Sequence, residues 1–192
     1  MLEKIHVNNG WIIFMENFIS LEKSDFYFDY FLNTIPWKSS KIKVFGKTYD
    51  TPRREAYFAN SGKNYSYSGK SLVVNTWDEE LIKLRDQLSE ILGEDFNACL
   101  LNLYRDGQDS NGWHADNEKE LGKNPIIASL SFGATRKFQL KHSKNSEKYD
   151  FNLSHGALIV MGGELQHFWK HQIPKQKKIA DARINLTFRK IV

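Results

Sequence analysis

The sequence predicts a mainly β fold with flanking helices, a helix-supported antiparallel β sandwich or jelly roll. Helical periodicity is concentrated before residue 93. After Gly93 the pattern breaks into short apolar segments separated by Gly, Asn, Asp and Ser. Helices first and many short strands afterwards fit a layered β fold that carries its helices to one side. No linker-like stretch divides the chain, so its 192 residues are expected to form one domain with a sizeable core.

Residues 24–32 set Phe26, Tyr27, Tyr30 and Phe31 at near-helical spacing, which predicts an early helix. A second helix is expected from Thr76. Thr76-Trp77-Asp78-Glu79 has the form of a capping box, in which each end side chain bonds the other's backbone N–H. Leu81, Leu84, Leu88, Ile91 and Leu92 then make one apolar stripe, and Gly93 ends it. Strands are predicted at 97–104, 126–132, 137–140, 158–161 and 183–191. The polar stretch 141–148 reads as an exposed loop or hairpin tip, and 175–178 as a basic loop.

Composition is that of an ordinary globular protein, with 41% hydrophobic and 26% charged residues. The aromatic share, 14%, is high, which suits the stacking of flat substrates. A net charge of +4 mildly favours a polyanionic partner. The single cysteine, Cys99, excludes an intrachain disulfide; it reads as a core residue and points to a reducing compartment. The N-terminus shows no basic region followed by an apolar block, and no apolar run is long enough to span a bilayer. A soluble intracellular protein with no membrane partner is the expectation, cytoplasmic if bacterial and nuclear if eukaryotic. Nothing indicates an oligomer, and a monomer is expected.

The chemistry concentrates in two places. Along 183–189, alternation sends Arg183, Asn185, Thr187 and Arg189 to one face and Ile184, Leu186 and Phe188 to the other. The apolar face suits a core. The polar face is either solvated or needs an anionic partner, because inward guanidinium groups cannot be buried unpaired. A small dicarboxylate matches two planar guanidinium forks. Asn102 and Tyr104 share a face in the same way. His114 and Asp116 are two apart, so an extended segment turns both to one side. With a second imidazole they would complete a set that holds one face of a non-heme Fe(II) and leaves the opposite face open to O2. His171 lies among aromatic residues, and His6, His142, His155 and His167 compete with it.

The combination is more specific than its parts. Asn102-Leu103-Tyr104-Arg105-Asp106-Gly107, His114-Ala115-Asp116-Asn117-Glu118, Ser129-Leu130-Ser131-Phe132-Gly133, Trp169-Lys170-His171-Gln172-Ile173-Pro174 and the terminal Arg183-Ile184-Asn185-Leu186-Thr187-Phe188-Arg189 resemble the AlkB family in order and spacing, over roughly residues 36–192. The resemblance implies a double-stranded β-helix (jelly roll) core at about 96–192, with a helical and hairpin nucleotide-recognition lid within about 1–95. It implies iron held by His114, Asp116 and His171. It implies 2-oxoglutarate held by Arg183 and Arg189, helped by Asn102, Tyr104, Asn185 and Thr187, with O2 as co-substrate. The activity implied is oxidative demethylation of 1-methyladenine and 3-methylcytosine in DNA, releasing formaldehyde, succinate and CO2.

The closest likeness is to the subgroup acting on double-stranded DNA. Phe45 and Gly46 lie among Lys41, Lys43 and Lys47 and resemble a finger hairpin whose phenylalanine replaces a flipped base. Arg53 and Arg54 supply charge for phosphates. Tyr57, Tyr65, Tyr67 and Ser68 resemble the substrate lid. Tyr67 would stack on the target base opposite His114, while Tyr65 and Glu118 would meet base edges. Asn117 stands where this subgroup often carries an acid, which bears on the charge near the lesion. RNA or tRNA demethylation is the alternative within the family. A protein or small-molecule hydroxylase and a non-catalytic β module are the rivals outside it.

Overall fold

A computed structural model of the chain describes residues 2–44, 47–62, 66–67, 70–71 and 73–192. The N-terminal part contributes β1 (Ile5–Val7), β2 (Gly10–Met15), α1 (Leu21–Thr34), β3 (Lys38–Val44), β4 (Lys47–Ala59), β5 (Ser66–Tyr67), β6 (Lys70–Ser71), β7 (Val74–Asn75) and α2 (Glu79–Leu92). There follow β8 (Ala98–Tyr104), β9 (Asn111–His114), β10 (Ile127–Gly133), β11 (Arg136–His142), β12 (Lys148–Leu153) and β13 (Ala157–Gly162). A one-turn α3 (Leu165–Phe168), β14 (Trp169–Ile173) and β15 (Arg183–Arg189) complete the chain.

From β8 onward the strands divide between two antiparallel sheets. Strands β13, β10, β15 and β8 lie side by side in the larger one, and β12, β11, β14 and β9 form the smaller. The chain passes repeatedly from one sheet to the other, which is the jelly-roll arrangement predicted from the run of short strands. The N-terminal strands extend the larger sheet at both edges. There β2 pairs with β13, β4 pairs with β8, and β3 covers β4. Strands β1, β2, β9, β12 and β14 were not predicted. Strands β1, β9 and β14 are short, whereas β2 is a continuous apolar run and β12 alternates Tyr149, Phe151 and Leu153 with polar residues, so both carried a strand pattern in the sequence.

Both predicted helices are present with shifted ends. Ser20 caps α1, accepting a hydrogen bond from the Lys23 N–H. The helix stops at Thr34 because Pro36 biases Ile35 toward extended backbone, where its ψ is 134°. In α2 the cap is Asp78, not Thr76. The Asp78 carboxylate accepts from the N–H groups of Glu80 at 2.9 Å and Leu81 at 3.3 Å and also takes the Tyr30 hydroxyl at 2.8 Å. A carboxylate that satisfies two first-turn donors displaces the capping box. Gly93, at φ 64°, closes the helix in the left-handed region.

The main core lies between these helices and the outer face of the larger sheet. Phe31 of α1 and Leu81, Leu84 and Leu88 of α2 pack with Leu101, Leu130, Leu186 and Phe188. Each such side chain contributes roughly 1.5–3 kcal/mol on burial. Two stripe residues depart from expectation: Ile91 and Phe26 are exposed. Cys99 is in the core as predicted. A second cluster, including Tyr104, Leu140, Ile159, Met161 and Trp169, fills the space between the sheets and closes one side of the site.

Candidate metal and co-substrate site

The smaller sheet brings the two histidines together. His114 ends β9 and is registered directly opposite His171 of β14, with ring centroids 4.2 Å apart. Asp116 follows two residues later, its Oδ1 3.7 Å from His114 Nε2. One ligand atom from each of the three residues lies within 4.8 Å of the others. Among the other histidines, His142 stacks on Phe168, His155 meets the Gly133 N–H and Asp25, and His167 meets Asn124. None of these joins the cluster of three.

The protonation states suit a cation. His114 Nδ1 lies 2.7 Å from the Gly112 carbonyl; an Nδ1–H donating there leaves Nε2 as a lone-pair donor facing Asp116. Burial, reinforced by neighbouring His114, pushes His171 down to about 3, and burial also lowers His114, so both rings are neutral at pH 7. Burial alone would raise Asp116, but Arg189, His171 and His114 outweigh it and hold the carboxyl below its usual range. Asp116 Oδ1 and His171 Nδ1 are buried with no hydrogen-bond partner among the described residues. Two neutral imidazoles and one ionised carboxylate, with lone pairs left over, fit a facial Fe(II) site.

Asp116 is held from two sides. Arg189 Nη2 lies 2.6 Å from Oδ2. The Asp116 N–H donates to Gln166 Oε1 at 3.0 Å. Gln166 is buried in α3, directly before the strand carrying His171, so one side chain ties the carboxylate ligand to the second histidine's element. The sequence reading missed Gln166, because a glutamine in a polar turn gives no local signal.

Strand β15 forms the opposite wall. All seven of its residues are buried, which rules out a solvated outer face. Register places Asn185 opposite Asn102 and Arg183 opposite Tyr104 on β8, with Thr187 opposite Ser129 and Asn185 opposite Ser131 on β10. The polar face is one network. Ser129 Oγ donates to Asn185 Oδ1 at 2.8 Å, and Asn185 Nδ2 donates to Thr187 Oγ1 at 2.7 Å. Arg183 Nη2 donates to Ser131 Oγ at 2.8 Å and Asn185 Oδ1 at 2.7 Å. One cavity is lined by Asn102, Tyr104, Asn185, Thr187 and Arg189 together with all three metal-ligand candidates. Arg183 stands behind that lining, over the Tyr104 ring, its Nε without a hydrogen-bond partner among the described residues.

Arg136 approaches the same ring, its guanidinium 5.5 Å from the centroid. It donates to the carbonyls of Asp106, Asp109 and Pro174 and so joins the loop after β8 to the end of β14. Gly107 sits where a Cβ would strike the Gln176 carbonyl, so only glycine fits that junction. Burial pushes Arg183 down to about 10, with Arg136 adding to the effect; Arg183 remains cationic at neutral pH.

Strand β4 extends the larger sheet beside β8, next to the cavity-lining residues Leu100 and Asn102. Arg53 is buried, and its Nε donates to Asn102 Oδ1 at 2.7 Å, so it is not a surface charge; Arg54 is exposed. Glu55 and Tyr57 are buried on the same face as Arg53. Asn117 is exposed, and Glu118 is half-buried beside the metal aspartate. Tyr67 belongs to β5, registered opposite Lys70. Phe45, Gly46, Tyr65 and Ser68 lie outside the described residues.

Facing antiparallel sheets that enclose a His-Asp-His triad beside buried arginines define a non-heme iron oxygenase. Residues 12–189 match the model of the 2OG-Fe(II) oxygenase superfamily. The chain is 38% identical over 185 residues to DNA oxidative demethylase ALKBH2 of Bos taurus, covering 92% of this chain and 64% of that protein. It is 38% identical over 184 residues to alpha-ketoglutarate-dependent dioxygenase alkB homolog 3 of Bos taurus, covering 91% of this chain and 64% of that protein. The fold matches a solved structure of OsALKBH1 with a TM-score of 0.62 at 16% identity, covering 98% of this chain and all of the other. The chain belongs to the 2OG-Fe(II) oxygenase superfamily and, within it, to the AlkB family. It spans about 64% of the length of these two relatives.

Proposed function

We propose that this protein is an oxidative demethylase of alkylated nucleobases in DNA, acting on 1-methyladenine and 3-methylcytosine. The observation that carries the reading is a single cavity lined by a His-Asp-His triad and a buried arginine strand. Similarity to a protein named DNA oxidative demethylase supports the substrate class. Fe(II) with 2-oxoglutarate and O2 supplies the oxidising power for a methyl C–H bond, with formaldehyde, succinate and CO2 as products.

His114, Asp116 and His171 would hold the iron. Arg183 and Arg189 supply the positive charge that a dicarboxylate requires, and Asn102, Tyr104, Asn185 and Thr187 give it neutral hydrogen-bonding groups. The Arg189–Asp116 pair keeps the carboxylate ionised and aimed. Packing between the sheets excludes water from the inner end, which limits wasted turnover.

The substrate would enter under β4. Tyr57, Tyr65, Tyr67, Ser68, Asn117 and Glu118 are assigned to the flipped base, Arg54 to a phosphate, and Phe45 with Gly46 to the gap left in the stack. We read residues 1–192 as one catalytic unit with its lid within about 1–95, working as an intracellular monomer. Among the described residues no helix is long and apolar enough to cross a membrane.

The test is anaerobic loading with Fe(II) and 2-oxoglutarate, then O2 and a duplex holding one 1-methyladenine, followed by mass spectrometry of the oligonucleotide. Loss of the methyl group, abolished in Asp116→Ala, is expected. Succinate formation with no change in duplex or single-stranded oligonucleotides would refute the substrate assignment and leave the oxygenase.

A further inference from the structure

Glu55 has no role in the chemistry above, yet register puts it on the sheet face that carries the cavity-lining residues of β8. Residues directly opposite in an antiparallel pair face the same side, and Glu55 is registered opposite Asn102, with Tyr57 opposite Leu100. Both Asn102 and Leu100 line the cavity. The neighbours of Glu55 on that face locate it further. Arg53 bonds Asn102, and its charge reaches His114; Tyr57 lies within the field of Arg189, the partner of Asp116. Glu55 therefore sits between Arg53, which bonds the cavity-lining Asn102, and Tyr57, which is registered opposite the cavity-lining Leu100.

Its carboxylate is poorly served by the protein. Glu55 is 6% exposed, and Oε2 is buried without a hydrogen-bond partner among the described residues. Its one ion pair among them is with Arg53 Nη2 at 4.0 Å, beyond hydrogen-bond reach. Arg53 is committed elsewhere, through Nε to Asn102 and through Nη1 to the Ser110 carbonyl at 3.3 Å. A buried carboxylate oxygen without a donor costs stability, so a mere brace for β4 would be poorly placed here. Two other carboxylates lie near the mouth: Asp116 is paired with Arg189 and belongs to the metal site, and Glu118, half-buried, is the one already assigned to the flipped base, so Glu55 would act beside it. Asn117 is neutral.

We propose that Glu55 is a specificity-determining residue that favours alkylated bases carrying a formal positive charge. Adenine N1 and cytosine N3 bear no hydrogen, so a methyl group there leaves the ring cationic at neutral pH and strengthens its exocyclic N–H donors. Guanine N1 and thymine N3 exchange a hydrogen for the methyl group and stay neutral. A carboxylate in a mouth screened from water separates these two classes by charge, where shape would not. The proposal rests on the nucleobase reading of the site.

The experiment compares kcat/KM on single-stranded oligonucleotides holding one 1-methyladenine or one 1-methylguanine. Glu55→Gln keeps the shape and removes the charge, whereas Glu55→Asp keeps the charge. The preference for 1-methyladenine is expected to fall about tenfold in Glu55→Gln and to stay within about threefold in Glu55→Asp. Binding of 2-oxoglutarate to the anaerobic Fe(II) protein should be unchanged in both. An equal loss on both oligonucleotides, or an unaltered preference with only a lower thermal midpoint, would make Glu55 a structural brace and overturn the proposal. Wild-type protein that consumes 2-oxoglutarate but alters neither oligonucleotide would overturn the nucleobase reading first, and the role of Glu55 with it.

Discussion

The two faces of β15 are almost equally buried and chemically opposite. Ile184, Leu186 and Phe188 are 0% exposed against the helices; Arg183, Asn185, Thr187 and Arg189 on the other face are 1–8% exposed. The apolar face is stabilised by removal from water alone, and any well-packed set of similar volume would serve. The polar face is a network in which Ser131, Asn185 and Asp116 engage the Nη2 of the two arginines, while Arg183 Nε and Nη1 are buried without a hydrogen-bond partner among the described residues. Replacing such buried charges by apolar groups is often neutral or stabilising, so their presence marks a site and not a stability device. One strand thus divides fold from function by side-chain parity.

Mutations should separate the two faces. The largest effect is expected for Asp116→Ala, which removes a candidate metal ligand and leaves Arg189 without its carboxylate. Oxidative turnover should fall by at least about a thousandfold, and the metal-free protein should lose roughly 3–5 kcal/mol because a buried charge is stranded. Turnover assays and denaturant titration measure both.

On the opposite face, Phe188→Ala should cost about 3–5 kcal/mol of stability through the cavity it leaves in the core. Below the new melting temperature its KM for 2-oxoglutarate should match wild type. A raised KM would show that the faces are coupled, and the division by parity would fail. Gln166→Leu comes next. Loss of the acceptor for the Asp116 N–H should weaken metal binding about 10–100-fold, read by Co(II) absorption, with little change in thermal midpoint.

A further test is a pH dependence belonging to the site alone. Burial holds His171 at about 3 in the fold, against an ordinary 6.5. The unfolded chain binds more protons between these values, so the stability of the metal-free protein should rise with pH from about 3 to about 6.5 and level off above. Asp116, also lowered, acts in the same direction but only below its ordinary 3.8. His171→Leu should flatten the slope between pH 4 and 6.5 in thermal denaturation, while Phe188→Ala should shift the curve without changing its shape.

Much of this was legible before the fold. The stripe Leu81-Leu84-Leu88 and Gly93 marked α2 because helical periodicity and a left-handed stop are local properties. Its start was misplaced, since Thr76 and Asp78 are both good caps and only geometry chose the carboxylate. Strand β14 went unread because Trp169-Lys170-His171 has little strand pattern, and its state depends on β11 and β9 at its sides. Arg53 and Arg54 look equivalent in sequence, yet the parity of β4 buries one against Asn102 and leaves the other in solvent.

By itself the sequence determined which residue types were available and how they alternate: the H-x-D pair, the four polar positions of β15, the amphipathic α2 and the family resemblance. These are local, because parity in a strand and the 3.6-residue period in a helix follow from backbone geometry. Tertiary structure decided that His171, and none of the other histidines, faces His114 and Asp116. It also decided that Gln166 holds the aspartate and that Glu55 is buried on the cavity-facing side of the larger sheet. The placements of His171 and Glu55 depend on register between strands distant in the chain, and a shift of one residue would have turned both to the other face, whereas Gln166 depends on the packing of the short α3 against the segment after β9.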